Sequence, residues 1–329
     1  MVVILVAALV AACNSTAVEP KDGPCRELEE IDSLMWKQPD SAFARLREFA
    51  ASTKADSLDV FNGHYCQLLI SELLYKNYYE QSNREELLKA VNYFDSLMMD
   101  NRQGAGKLRA EEQERNVFLD ARAHYINGVG FCERGDVVLA CAEYLRAVEE
   151  MEDSFKGEKL IAHKAQFLAL AYNRLGDLFS DQFMMLPAID CYENAFDFCN
   201  IEPTSQHGVS NTLFRMGKQF DKMNDIINAK TCYEQAIERM MNKDNVLYRD
   251  MVASKAMCDY QLGMGMERVM DDLRMIVAHA DNEEERLNRF LTIGAIWAEE
   301  GAYDSALFYF VPVFRNASDI VSLDRKSVV

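Results

Sequence analysis

Apolar residues in this chain return at intervals of three and four rather than two, and small residues punctuate them at fixed offsets. The clearest stretch carries Gly128, Phe131, Gly135, Asp136, Ala140, Tyr144 and Ala147. The same spacing returns in Leu175-Gly176, Phe179, Phe183, Ala188, Tyr192 and Ala195, and again in Met216-Gly217, Phe220, Asp225, Ala229, Tyr233 and Ala236. A further copy has Ile293-Gly294, Trp297, Gly301, Ala306, Phe310 and Val313, and a weaker one between them has Met257, Tyr260, Val269, Leu273 and Ile276. Residues three and four apart share one helix face, so each copy predicts two helices with an apolar stripe. The small positions let the two helices approach closely, and Gly135-Asp136 and Gly301-Ala302 fall where the chain must turn. Such a unit cannot bury a core alone; copies must stack, and a stacked array presents a continuous wall for binding.

The first third follows the same helical spacing with most of the small positions lost. Leu28, Ile31, Leu34 and Met35 predict a helix that stops before Pro39, and Asp40-Ser41 opens a second with Ala42, Phe43, Leu46, Phe49 and Ala50 on its buried side. Asp56-Ser57 opens a third that runs to near Asn77, and Arg84 to Met99 forms a fourth, before a loop from Asp100 to Gly106. Glycine and proline total only 21 (15 and 6) and no sustained stretch alternates with period two, so the chain reads as all-α with about fourteen helices.

The pattern from 121 to 317 resembles the tetratricopeptide repeat. Successive Gly-equivalents at 128, 176, 217, 257 and 294 lie 48, 41, 40 and 37 residues apart, against ~34 in the typical repeat. The resemblance implies a right-handed superhelical solenoid of antiparallel helix pairs. Two degenerate hairpins would occupy residues 25–106, five repeats 107–318, and an incomplete helix or tail 319–329. In that family the first helix of each pair lines the concave wall. The resemblance therefore places Arg174, Arg215 and Lys255 at one repeat position along it, with Asn173, Asn211, Phe214 and Lys218 beside them. A row of cations facing inward in an acidic protein would attract a carboxylate or phosphate. Asp177 and Asp221, three residues after Arg174 and Lys218, offer ordinary surface partners instead.

Composition narrows the partners. The 53 acidic and 35 basic residues give a net charge of −18, which argues against nucleic acid and against docking on anionic lipid by charge. Residues 1–12, MVVILVAALVAA, are uncharged and apolar, too short to span a bilayer, where ~20 are needed. They suit the apolar stretch of a secretory signal. Val10-Ala11-Ala12-Cys13 resembles the lipobox of bacterial lipoproteins, although no Lys or Arg precedes it; the resemblance implies an acylated Cys13, with residues 13–24 as lipidated tether. Together with Ile31-Asp32-Ser33-Leu34-Met35 and Pro39-Asp40-Ser41-Ala42, the chain resembles a group of envelope lipoproteins with degenerate repeats. The other eight cysteines show no CxxC pair and no zinc spacing, and read as buried thiols. Five triplets of Asp-Ser followed by Leu or Ala, at Asp32, Asp40, Asp56, Asp95 and Asp304, resemble a bacterial O-glycosylation sequon. All but that at Asp95 also fall at expected helix starts, where Asp and Ser cap.

No catalytic constellation emerges. The five histidines are scattered, and neither a phosphate-binding glycine loop nor GxSxG occurs. The sequence thus predicts a non-enzymatic, lipid-anchored scaffold of the bacterial cell envelope, facing periplasm or surface, without cofactor or metal. It would bind a peptide or protein segment in its groove, with self-association through the uncapped C-terminal end around Phe310 and Phe314 as a further expectation. The alternatives are the sensory repeat part of a membrane-bound signalling or transcription regulator, and a glycan- or peptide-binding lipoprotein of a nutrient-uptake system. Only Trp36 and Trp297 are available to stack on sugars, which disfavours the glycan. If Cys13 is the acylated residue, cells fed an alkyne fatty acid should label the wild-type protein, and Cys13→Ala should accumulate as unlabelled precursor; equal labelling would refute the anchor.

Overall fold

A computed structural model describes residues 24–52, 58–77, 84–102, 109–154, 162–201 and 206–326. Cys13, the apolar leader and Asp56-Ser57 lie outside them. Among the described residues the chain forms fourteen helices and no strand: α1 (Arg26–Met35), α2 (Pro39–Ala50), α3 (Val60–Lys76), α4 (Arg84–Arg102), α5 (Ala110–Glu133), α6 (Val137–Ser154), α7 (Ala162–Asp181), α8 (Met185–Ile201), α9 (Gln206–Lys222), α10 (Ile226–Arg239), α11 (Val246–Gln261), α12 (Met266–Ala278), α13 (Glu283–Glu299) and α14 (Tyr303–Lys326). The chain divides into two compact units, Met1–Leu178 and Phe179–Val329, the division falling within α7.

From α1 to α6 each helix packs on the next. In the first unit, α3 also touches α1 and α5, so the first helices of successive pairs stack on one another. In the second, each helix from α8 to α14 packs on the next.

The small-residue positions mark where the two helices of a pair meet. A Cβ built on Gly128 would lie 2.7 Å from the Tyr144 ring, on Gly217 2.6 Å from Tyr233, and on Gly294 2.5 Å from Phe310. Each ring, sixteen residues along, abuts the glycine where no larger residue fits. Ala140, Ala229 and Ala306, one turn before these aromatics, and Ala188, one turn before Tyr192, are all buried.

The turns repeat as closely. The backbone N–H of Asp136, Met184, Asp225, Met264 and Ala302 donates to the carbonyl five residues earlier, of Phe131, Phe179, Phe220, Asp259 and Trp297, at 2.8–3.0 Å. The residue before each donor takes a left-handed conformation: Gly135, Phe183, Asn224, Gly263 and Gly301, with φ between 58° and 77°. This is a Schellman closure, which satisfies the last carbonyls of the first helix. Glycine and asparagine adopt that conformation readily; Phe183 does so at a cost, with its side chain 77 % exposed.

This turn corrects the register of the weak copy. In the other four copies the small residue lies seven before the left-handed residue, as Gly128 before Gly135. Counting back from Gly263 gives Ala256, not Met257, and the aromatic position is then Asp259, not Tyr260. Burial agrees, with Ala256 at 0 % and Asp259 at 1 % exposure. One extra turn residue, Gly265 (φ 95°), restores Val269, Leu273 and Ile276 to the core.

Other sequence expectations are refined. Asp59, not Asp56-Ser57, caps α3, accepting from Asn62 N–H at 2.8 Å. The Asp32 triplet lies inside α1 rather than at its start, and α14 continues to Lys326 with Pro312 inside it, so Asp319–Leu323 opens no new helix.

Each unit buries an arginine in a carboxylate cluster. Arg122 on α5 is fully buried and reaches Asp32 on α1 at 2.7 and 2.9 Å and Glu72 on α3 at 2.9 and 2.5 Å, tying three stacked first helices together. In the second unit Arg249 makes a bidentate pair with Glu285 at 2.6 and 2.9 Å and also reaches Asp281 at 2.5 Å. The Arg249 bonds hold the Glu285 carboxyl at about 2, well below its ordinary 4.5.

Gly217→Val places branched carbon inside the Tyr233 ring and should cost about 3 kcal/mol in urea unfolding. Phe183→Gly relieves a left-handed aromatic and should gain about 1 kcal/mol in the same measurement. A Gly217→Val protein as stable as wild type would mean the glycine–ring contact does not hold the pair.

Candidate ligand-binding face

The inner-wall residues expected from the repeat come mainly from α7, α9 and α11, the first helices of their pairs. On α9, Asn211, Arg215 and Lys218 stand at i, i+4 and i+7, which places them on one face. Asn211 and Arg215 are half-buried and Lys218 is exposed. Arg215 Nε donates to Asn211 Oδ1 at 3.4 Å, and Lys218 Nζ sits 5.2 Å above the Phe214 ring. The stripe is polar and cationic in a protein of charge −18.

Phe214 itself is a correction. It is 6 % exposed and packs on Tyr233, ring centroids 5.6 Å apart, within the core of α9 and α10. Its ring offers a ligand little beyond the face that Lys218 covers.

Lys255 is a second correction. The register of α11 puts Ser254, not Lys255, at the position of Arg215, with Lys255 one residue further round the helix. There it occupies the site that is Leu175, Met216 or Ile293 in other copies, and Asp259 occupies the site of an aromatic. Lys255 Nζ donates to Asp259 at 2.7 Å and Asp272 at 3.3 Å, while Lys230 from α10 reaches Asp259 at 2.5 Å. Burial alone would raise the Asp259 carboxyl, but the two lysines outweigh it and hold the group below its ordinary 3.8. An ion cluster thus replaces two apolar core contacts, and the Lys255 charge serves the fold.

Arg174 and Asn173 belong to the first unit. Arg174 stacks over the Tyr75 ring at 5.7 Å, donates to the Tyr75 hydroxyl, and stands 3.6 Å from Asp177. The Asn173 amide donates back to the Ala169 carbonyl at 2.8 Å. Sequence reasoning foresaw Asp177, three residues on, but not Tyr75, ninety-nine residues away, whose meeting with Arg174 depends on how α3 and α7 pack. Lys230 and Asp272 were missed for the same reason. Asp259 was legible in principle, had the turn been located first.

No family model matches the chain, and no curated protein matches its sequence. Solved structures do resemble it. A Rap protein complexed with Competence and Sporulation Factor is similar at TM-score 0.57 and 14 % identity, over 89 % of this chain and 75 % of that one. A signal-transduction ATPase with a tetratricopeptide repeat sensor from Pyrococcus horikoshii is similar at TM-score 0.59 and 13 % identity, over 92 % of this chain and 43 % of that one. The C-terminal part of a TPR repeat-containing protein from Cytophaga hutchinsonii is similar at TM-score 0.50 and 12 % identity, over 88 % and 94 %. At these identities the likeness is one of fold: the chain is an all-α, tetratricopeptide-like array of helix pairs.

Because Lys255 is bound to carboxylates of its own chain, Lys255→Met should lower stability by about 1–3 kcal/mol, by withdrawing one partner from buried Asp259. The sign with pH follows from the depressed Asp259 carboxyl. Its contribution is present above the ordinary carboxylate range and is lost as pH falls through the folded value. The gap between wild type and variant in urea unfolding should therefore be full at neutral pH and close on acidification below about 4. A gap independent of pH would refute the ion cluster.

Proposed function

We propose that this protein is a non-enzymatic scaffold of the bacterial cell envelope, anchored by lipid on Cys13, that holds an acidic peptide or protein segment against the first helices of its pairs. The observation that carries the reading is the Asn211, Arg215 and Lys218 stripe on α9, a cationic face in a strongly acidic chain. Such a face favours a carboxylate-bearing segment and opposes nucleic acid through the overall charge. The likeness to a Rap protein solved with a bound factor supports the reading, since a fold of this kind there accommodates a partner. Self-association belongs to the same proposal. Tyr303, Leu307, Phe308 and Phe314 of α14 are each more than half exposed, a run of large apolar side chains suited to a second surface.

A second reading, a sensory repeat part of a signalling or transcription regulator, draws on the likeness to the repeat sensor of the archaeal ATPase. A reading frame that continued into an apolar run of ~20 residues would favour it.

The stripe is tested by capturing envelope partners on the wild-type protein and measuring affinity for wild type and Arg215→Glu. At low salt the variant should bind at least about tenfold more weakly, a loss of ~1.4 kcal/mol, with unfolding unchanged and the difference shrinking at high salt. Equal affinities at both salt concentrations would move the binding surface elsewhere.

A further inference from the structure

The first unit brings together three groups that the sequence leaves apart. Asp120 and His124 lie one turn apart on α5, and Asp95 comes from α4. One donor atom from each lies within 4.8 Å of the other two. Asp120 is 0 % exposed and His124 2 %, while the Asp95 side chain keeps 19 % of its surface open. On the far side of the imidazole, Nδ1 meets Glu143 Oε2 of α6 at 2.6 Å. A carboxylate at Nδ1 would hold the proton there and leave Nε2 to face the two aspartates as a ligand atom.

The distances at Nε2 bear on ligation as well as on hydrogen bonding. Nε2 stands 3.4 Å from Asp95 Oδ1 and 3.7 Å from Asp120 Oδ1. The first is a long hydrogen bond and the second lies beyond hydrogen-bond reach. Both distances are close to the edge of a coordination polyhedron, since ligands ~2.1 Å from a metal in tetrahedral array stand roughly 3.4 Å apart. Charge points the same way. Three carboxylates, of Asp95, Asp120 and Glu143, converge on one imidazole, and the nearby guanidinium of Arg146 bonds Asp95 but is shared with Glu150 at 3.1 Å. Of the three, Asp120 is the fully buried one, and a carboxylate out of water calls for a cation close by.

We propose that Asp95, Asp120 and His124 form a site for a first-row divalent cation, with Glu143 orienting the histidine from behind. One imidazole and two carboxylates suit zinc, manganese or iron(II) better than calcium or a thiolate-seeking metal. Asp95, at the open edge, is the entry side; Arg146 bonds Oδ1, the same oxygen that faces Nε2, so the ion would take a remaining lone pair of that carboxylate. A bound ion would pin α4, α5 and α6 to one another. The i, i+4 spacing of Asp120 and His124 was legible in the sequence; their meeting with Asp95 and Glu143 was not.

The test uses the full chain, stripped with chelator and titrated with cobalt(II). The site predicts one ion per chain, visible d–d absorption without thiolate charge-transfer bands, and a rise in unfolding temperature on binding. His124→Gln and Asp95→Asn should each weaken binding at least about tenfold, and Glu143→Gln about 10–100-fold as an orienting partner. Circular dichroism confirms that each variant is folded; should His124→Gln unfold, Asp95→Asn at the open edge decides. Absence of saturable binding by folded wild type, thiolate bands in its spectrum, or unchanged affinity in Asp95→Asn would overturn the site.

Discussion

The contact of an aromatic ring with glycine backbone sixteen residues earlier sets the geometry of the helix pairs. Tyr144 on Gly128, Tyr233 on Gly217 and Phe310 on Gly294 fix how near the two helices come and how they rotate about their axes. Any side chain at these three glycines would meet the facing ring, so these contacts tolerate glycine alone. The Schellman turn completes the constraint, because it fixes the number of residues between the end of one helix and the start of the next. Where the turn takes an extra residue, as at Gly265, the second helix shifts by one and the core residues shift with it.

Charged residues stand where this scheme admits them. Arg122 is buried among first helices that otherwise stack through apolar contacts, and its carboxylates come from α1 and α3. Lys255 and Asp259 take two apolar repeat positions and satisfy each other with help from Lys230 and Asp272. Buried pairs of this kind contribute little net stability over apolar residues of similar volume, but removal of one partner is costly. Their geometric demands leave one register between neighbouring pairs, which suits a fold whose units are otherwise similar enough to slip.

These interior pairs also decide which charges face a partner. Of the cations expected along the wall, Lys255 is bound within the fold and Arg174 lies against Tyr75, while Arg215 beside Asn211 and Lys218 over Phe214 share the α9 face proposed for recognition. The cluster at His124 is separate in both place and chemistry, set among α4, α5 and α6 of the first unit. Binding of a segment and binding of an ion are thus assigned to different side chains.

The sequence by itself determined the helix class, the pairing of helices and the positions of close approach, because all of these depend on residues within about twenty of one another. Gly128, Ala140 and Tyr144 announce their contact by spacing alone, and Gly135 and Gly301 announce their turns. In the weak copy the same reasoning slipped by one residue, since Met257 and Tyr260 look more like core residues than Ala256 and Asp259; only the left-handed turn at Gly263 shows which pair is buried. What the tertiary structure alone decided was the fate of the charges. Arg122 with Asp32, ninety residues apart, Arg174 with Tyr75, and His124 with Asp95 and Glu143 meet because separate helices stack. Helical periodicity records which face of a helix is buried, but not which side chain from another pair arrives opposite it.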